Sequence, residues 1–271
     1  MTQPLISLHD EPEVRRITQH LPHALILVAE PGLDSAGVVE SIISSTPSQV
    51  LRVSPEETKK SISVEQVRAL AMNVRTTTSM RRVLHITPAD AMTEEAQNAL
   101  LKLLEEPAEA VHLLLETTSL EGLLPTIISR SQIVTLSRTS PHQDDELLAD
   151  SSFDDQTKQQ VRFLAAGRPA LIRQMIAQPE LLEQYRHLAA DAKQIISGNT
   201  YEALRACFRH SGSREQALQL IDVVATILKF GAKRRGVDPQ TRRLVDNTHA
   251  AIEALNANGN IKLTLLRLVA R

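Results

Sequence analysis

Five short runs of Ile, Val and Leu recur through the first half of the chain, at 25–28, 50–53, 83–86, 111–115 and 133–136. Helical spacing of apolar residues fills the intervals between them, at 35–45, 64–73, 94–105 and 120–128. This alternation leaves few choices. Parallel strands need a crossover connection, usually a helix, and a strand covered on both faces reads as a continuous apolar run rather than an alternating one. The expected fold is therefore α/β, a five-stranded parallel sheet with helices on both faces.

At 271 residues the chain is longer than one typical domain. After Ser137 the strand signal stops, and the polar stretch 138–155 reads as a linker with a short acidic helix. Val161, Phe163 and Leu164, then Gly167 and Pro169, predict a helix, its glycine cap and a proline opening the next helix. Pro179, Gly198-Asn199, Gly212, Asp238-Pro239 and Gly259-Asn260 then punctuate about five further helices. The implied division is a sheet domain at 1–138, a small helical lid at 139–178 and an all-α domain at 179–271.

Hydrophobic residues make up 42% of the chain, but aromatics only 2%, so the core must be aliphatic. A formal charge of −2 offers no global attraction to nucleic acid or to an anionic membrane. No apolar run approaches the roughly 20 residues that span a bilayer, so no membrane partner is expected. The first twenty residues lack an apolar signal core and Cys207 is the single cysteine, which together predict a cytoplasmic setting and exclude a disulfide framework. Cys207 itself reads as a small buried hydrophobe. His85 and His112 fall inside predicted strands and read as hydrogen-bonded core residues rather than metal ligands.

The turn after the first strand, Ala29-Glu30-Pro31-Gly32-Leu33-Asp34-Ser35-Ala36, stands where a nucleotide-binding fold carries its phosphate loop. Such a loop needs several glycines to curl backbone N–H groups around phosphate, a Lys to neutralise it and a Ser or Thr to hold Mg²⁺. Only Gly32 meets that need. Asp34 brings negative charge, Ser35 takes the Lys position and Ala36 has no metal-binding oxygen. After the strand at 83–86 the chain reads Thr87-Pro88, where an ATPase needs acidic residues for its metal and attacking water. Asp90 reads as a turn or cap residue. No nucleotide cofactor and no metal site are expected.

The segment from Thr93 to Pro107 is the most regular in the chain. Ala96, Ala99, Leu100, Leu103 and Leu104 share one helical face, Thr93 caps its start, Glu94 and Glu95 suit the positive end of its dipole, and Pro107 forces Glu106 out of helical geometry. Lys102, Glu105 and Glu106 are left outside the apolar face.

His23-Ala24, Ala89-Asp90, Asn98 to Pro107, Thr117-Thr118 and Thr126-Ile127-Ile128-Ser129-Arg130 together resemble the bacterial clamp-loader subunits of the AAA+ superfamily. Ala165-Ala166-Gly167-Arg168-Pro169 is similar to that family's lid motif, and Asn256 to Leu268 to its terminal collar helix. The resemblance implies an AAA+ domain, a lid and a helical collar for oligomerisation. It also implies that Arg130, flanked by Ser129 and Ser131, is an arginine finger for ATP bound to an adjacent subunit, with Ser131 replacing the usual Cys. Glu105 and Glu106 would line the same subunit interface.

By that resemblance the chain is a non-hydrolysing stator of the DNA polymerase III clamp loader, acting in replication. Its partners would be the ATPase (gamma/tau) and delta subunits, with the sliding clamp and primer-template DNA reached through the complex. Thr117 and Thr118 occupy the family's sensor position and read as relics that bond locally. The four-cysteine zinc module of many relatives is absent from this sequence, so no zinc is expected. Two other readings stay open at this point, an ATPase with an unorthodox loop and a free-standing adaptor of the same fold. Lys233, Arg234, Arg235, Arg242 and Arg243 form the strongest basic cluster, either a solvated turn or a phosphate or partner contact. Without interleaved aromatics it is not a base-stacking surface.

Overall fold

In the computed structural model of the chain, the apolar runs become β1 (Ala24–Val28), β2 (Ser48–Val53), β3 (Arg81–Ile86), β4 (Val111–Thr117) and β5 (Gln132–Thr135). The structure describes all residues except 1–2, 57–58, 75–79, 107–109, 236–237 and 270–271, and leaves the side chains of 73–74 and 233–235 undescribed. Every pairing is parallel and the strand order is β2-β3-β4-β1-β5. The expected sheet is present.

Alternate residues of β1, β3 and β4 enter different cores, as the two-residue period of a strand requires. Ile26, Leu84, Ile86, Leu113 and Leu115 pack with α3 (Val64–Val74), α4 (Glu94–Glu105) and α5 (Pro125–Ile128) on one face. Leu25, Leu27, Val83, Leu114 and Val134 meet α1 (Glu11–Gln19) and α2 (Ser35–Ser44) on the other. Each fully buried aliphatic side chain of this kind contributes about 1.5–3 kcal/mol, which is why both faces need helical cover.

Three elements differ from the sequence expectation. The helix α1 has no counterpart there, because only Val14 and Ile17 are buried in an otherwise charged segment and too few apolar residues mark its face. The helix expected over 120–128 is confined to Pro125–Ile128, since Leu124 stays extended with its amide bonded to Gln97. The expected glycine cap is shared by two left-handed residues, Ala166 with φ 50° and Gly167 with φ 81°. Thr93 does cap α4, accepting from Ala96 N at 3.2 Å, and Glu106 leaves helical geometry. Pro107, read as the cause of that exit, lies outside the described residues.

The chain forms two compact units, residues 1–151 with 167–173 and residues 152–166 with 174–271. The first contains the sheet, α6 (Pro141–Ala149) and the start of α8 (Pro169–Ala177). The second contains α7 (Asp155–Ala165) and the five helices that follow Pro179, namely α9 (Pro179–Ser197), α10 (Thr200–Arg209), α11 (Arg214–Arg235), α12 (Pro239–Asn256) and α13 (Ile261–Val269). Asn199 and Asp238 cap α10 and α12 at the punctuation read from the sequence. No helix of the described residues is long and apolar enough to cross a membrane.

Within the second unit, Asp191 of α9 is 8% exposed and accepts hydrogen bonds from Arg209 and from His210 Nε2 at 2.7 Å. These bonds tie the end of α10 to α9. Nearby Cys207 is buried and its thiol is pushed up to about 12 by desolvation, so it remains an unreactive packing residue. Burial acts to raise the Asp191 pKa, but the bonds from Arg209 and His210 outweigh it and hold the carboxyl below the usual aspartate range. Its stabilisation is therefore complete above the ordinary aspartate pKa and is lost as pH falls through the lowered folded-state value. Asp191→Ala should cost about 1–3 kcal/mol in urea unfolding near neutral pH, and the difference from the wild-type chain should shrink as pH approaches 3.

Candidate functional site

Parallel open sheets bind ligands beyond the carboxyl ends of their strands, where successive connections diverge. Here that crevice lies over β1 and β4, because the chain leaves β1 for β2 at the far edge and leaves β4 for β5 on the other side of β1. The turn following β1 opens into it. Gly32 has φ 92°, and a Cβ there would lie 3.2 Å from atoms of Arg168 and Leu171. Its carbonyl accepts from Ala170 N and Leu171 N at 3.0 and 3.2 Å, so the first turn of α8 is bonded directly onto the loop.

Asp34, 8% exposed, accepts from Leu5 N at 2.8 Å and from Gly37 N at 3.3 Å. A carboxylate of the chain itself thus caps the N-terminus of α2, the place where a helix dipole and free amides attract an anion. Gly37 is required for this fit, because a Cβ there would come within 2.4 Å of the Asp34 carboxylate. Glu116, near the end of β4, adds a second acid. It lies 3.1 Å from His85 Nε2 and also hydrogen-bonds Ser35 and Thr87. The His85 bond, opposed by burial, holds the Glu116 carboxyl below the usual range. Asp34 and Glu116 thus place two acidic side chains beside the start of α2, which disfavours a polyphosphate there.

Of the other residues singled out in this part of the chain, Thr117 and His112 are bonded locally and Thr118 and Asp90 are exposed. Thr117 Oγ1 donates to Ser119 O at 2.8 Å, Thr118 is exposed, and Asp90 is exposed in the first turn of a short 3₁₀ helix at Ala89–Ala91. His112 Nδ1 bonds Pro22 O at 2.9 Å, and burial pushes its pKa down. Among the described residues no group of three or more His, Cys, Asp or Glu side chains is placed to hold a metal.

Arg130 lies at the opposite end of the sheet. It precedes Gln132, which pairs with Leu25 at the start of β1, whereas Thr135 pairs with Val28 at the mouth of the phosphate-loop turn. The strand alone puts about 10 Å between the two ends at roughly 3.3 Å per residue. Ser129 Oγ and Ser131 Oγ donate back to Thr126 O and Ile127 O at 3.1 and 2.9 Å, closing the end of α5. Their hydroxyls are committed to backbone. The Arg130 side chain is 41% exposed, with Nη1 3.2 Å from Thr126 O and Nη2 3.2 Å from Glu105 Oε1. Glu105 and Arg130 are therefore brought together, while the neighbouring Glu106 is exposed.

One residue that sequence reasoning passed over fixes the entry to α5. Gln97 is 4% exposed, and its side chain accepts from Leu124 N at 2.8 Å and donates to Gly122 O and Met92 O at 2.9 and 3.3 Å. It fastens the turn that launches α5 to α4. A polar residue on a helix face otherwise lined by Ala96, Leu100 and Leu104 was the available signal.

The basic cluster divides between two helices. Lys233, Arg234 and Arg235 end α11, where cations suit the dipole, but their side chains lie outside the described residues. Arg242 and Arg243 are exposed near the start of α12, where the helix dipole does not favour cations. Arg243 borders a cavity of about 440 Å³ with Ile195, Leu244, Asn247 and Leu268.

Residues 18–140 match the model of the family described as DNA polymerase III, delta subunit. The chain is 49% identical over 78 residues to DNA polymerase III subunit delta' of Pseudomonas aeruginosa, covering 28% of this chain and 24% of that protein. It is 33% identical over 133 residues to the Haemophilus influenzae subunit delta', covering 47% and 40%. Against the Escherichia coli subunit delta' it is 28% identical over 196 residues, covering 67% and 54%. The chain thus spans between a quarter and about half of the length of these relatives. A DNA polymerase III gamma subunit-related protein from Thermotoga maritima has the same fold, with a TM-score of 0.51, 20% identity and 96% of each chain covered. The expected likeness to DNA polymerase III subunits is found over part of the chain, and the expected α/β fold with a five-stranded parallel sheet is borne out.

Gln97→Ala would leave the Leu124 amide and the Gly122 carbonyl without their partner. The expected cost is about 2–3 kcal/mol in urea unfolding, with faster hydrogen exchange at the Leu124 amide than at amides of the distant α1.

Proposed function

We propose that this chain, a relative of the bacterial delta-prime subunits of DNA polymerase III, is a non-hydrolysing clamp-loader subunit that lends Arg130 to ATP held by a neighbour. The carrying observation is the placement of Arg130 at the amino end of β5, with the chain's own phosphate-loop turn at the carboxyl end of the paired strand β1. A guanidinium there cannot serve the loop of its own chain. Its side chain is 41% exposed, within reach of a second molecule. A planar, permanently charged fork suits the charge spread over a transferring phosphoryl group, and such fingers are worth roughly 10³ to 10⁵ in rate.

The carboxyl-end crevice supports the other half of the reading. Asp34 caps α2 through the Gly37 amide, Glu116 adds charge, and α8 is bonded to Gly32. In this proposal the loop is a degenerate Walker A motif and the chain has no ATPase activity of its own. It acts as a stator in the cytoplasm, assembled with the gamma/tau ATPase and delta subunits, and meets the sliding clamp and primer-template DNA through that complex.

The three-part division into an AAA+ domain at 1–138, a lid at 139–178 and a collar at 179–271 belongs to the same proposal, as does an interface role for Glu105 and Glu106. The basic residues 233–235 with Arg242 and Arg243 are proposed as a phosphate or partner contact of the collar.

In a reconstituted loader, Arg130→Ala should lower DNA-stimulated ATP turnover at the adjoining site by roughly 10³-fold or more. Arg130→Lys should restore little of it, because the ammonium lacks the bidentate fork. Unchanged turnover with Arg130→Ala would refute the assignment. Calorimetry of the isolated chain with ATP and Mg²⁺ should detect no micromolar binding, whereas such binding would favour a chain that hydrolyses ATP itself.

A further inference from the structure

Arg130 already has an anionic partner within its own chain. Its two contacts differ in kind. Thr126 O belongs to the backbone of α5 and travels with Arg130, whereas Glu105 ends α4 and reaches the guanidinium only through tertiary packing. The pair is 3.2 Å long with side-chain exposures of 41% for Arg130 and 53% for Glu105, so it stands in water rather than in the core.

Taking Arg130 as the residue offered to a neighbour's ATP, we propose that Glu105 is its parking partner. Glu105 neutralises the guanidinium while the chain is undocked, and phosphate oxygens presented by an adjacent subunit displace it. Carboxylate and phosphate oxygens compete for the same N–H fork. The Nη2 group bonded to Glu105 cannot at the same time face a phosphate along that direction.

The magnitudes make the exchange one-sided. An exposed ion pair biases an arginine by only about two- to fivefold. A finger in a water-excluded phosphoryl-transfer site is worth roughly 10³ to 10⁵. Glu105 therefore holds Arg130 against chance anions without holding it against its target. The remaining contact to Thr126 O keeps the side chain aimed from α5 while the exchange occurs. Glu105 is thus a positioning residue acting through Arg130.

The test uses the reconstituted loader and ADP with aluminium fluoride, an analogue of the transferring phosphoryl group, as the probe retained at the adjoining site. Glu105→Gln keeps the size of the side chain and removes its charge. It should tighten retention about two- to fivefold at low salt, and the gain should fade by about 0.5 M salt as the pair is screened in the parent protein. Glu95→Gln, the same charge change at the far end of α4, should leave retention unchanged. Arg130→Ala should abolish the finger's contribution.

If Arg130→Ala weakens retention while Glu105→Gln leaves it equal or weaker than in the parent, parking is wrong and the finger assignment stands. A Glu105→Gln gain that persists unchanged at high salt also overturns parking. Should Arg130→Ala have no effect, the finger assignment fails and the parking role falls with it.

Discussion

The parallel pairing of β5 with β1 is the constraint from which the functional geometry follows. Parallel register puts Gln132 beside Leu25 and Thr135 beside Val28, so a residue just before β5 and a turn just after β1 must lie at opposite ends of the sheet. No rotamer of Arg130 overcomes that separation. One fold therefore offers a crevice at the carboxyl end and a cation at the amino end, and only a second molecule could bring a crevice and a cation of this kind together.

The helix α4 translates that topology into a defined position for Arg130. Thr93 caps its first turn, Gln97 binds the turn that starts α5, and Glu105 contacts the guanidinium from its last turn. Its buried face joins Leu100 and Leu104 to the same core as Leu113 and Leu115 of β4. The element beneath Arg130 is thus anchored in the sheet, whereas α5, only four residues long, could not hold a side chain steady alone.

At the carboxyl end the chain bonds several of the polar groups around the turn after β1 to one another. The N-terminus of α2 receives the Asp34 carboxylate, Ser35 and Thr87 bond Glu116, and the Gly32 carbonyl is taken by α8 amides. Each replacement is an ordinary capping or turn interaction worth of order 1 kcal/mol. Together they turn a binding crevice into a set of internal contacts. This self-satisfaction underlies the proposed stator role.

Much of this was legible in the linear sequence because it depends on local periodicity. Apolar runs specified the parallel strands, of which β1, β3 and β4 are buried, the Thr93 to Glu105 pattern specified a capped helix, and Gly and Pro punctuation marked the five helices from Pro179 onward. The missing Lys and acidic residues of the nucleotide motifs could also be read directly. Local patterns carry no information about which distant groups meet. Tertiary packing alone paired Glu105 with Arg130, buried Gln97 against the Leu124 turn and gave the Asp34 carboxylate the Leu5 amide, contacts that span 25 to 29 residues. Residue order therefore determined the strands, the helices and which side chains occupy the turns after β1 and β3. Only the three-dimensional register of β1 against β5 decided that Arg130 points away from its own crevice, because sheet pairing rather than sequence distance sets where a side chain can reach.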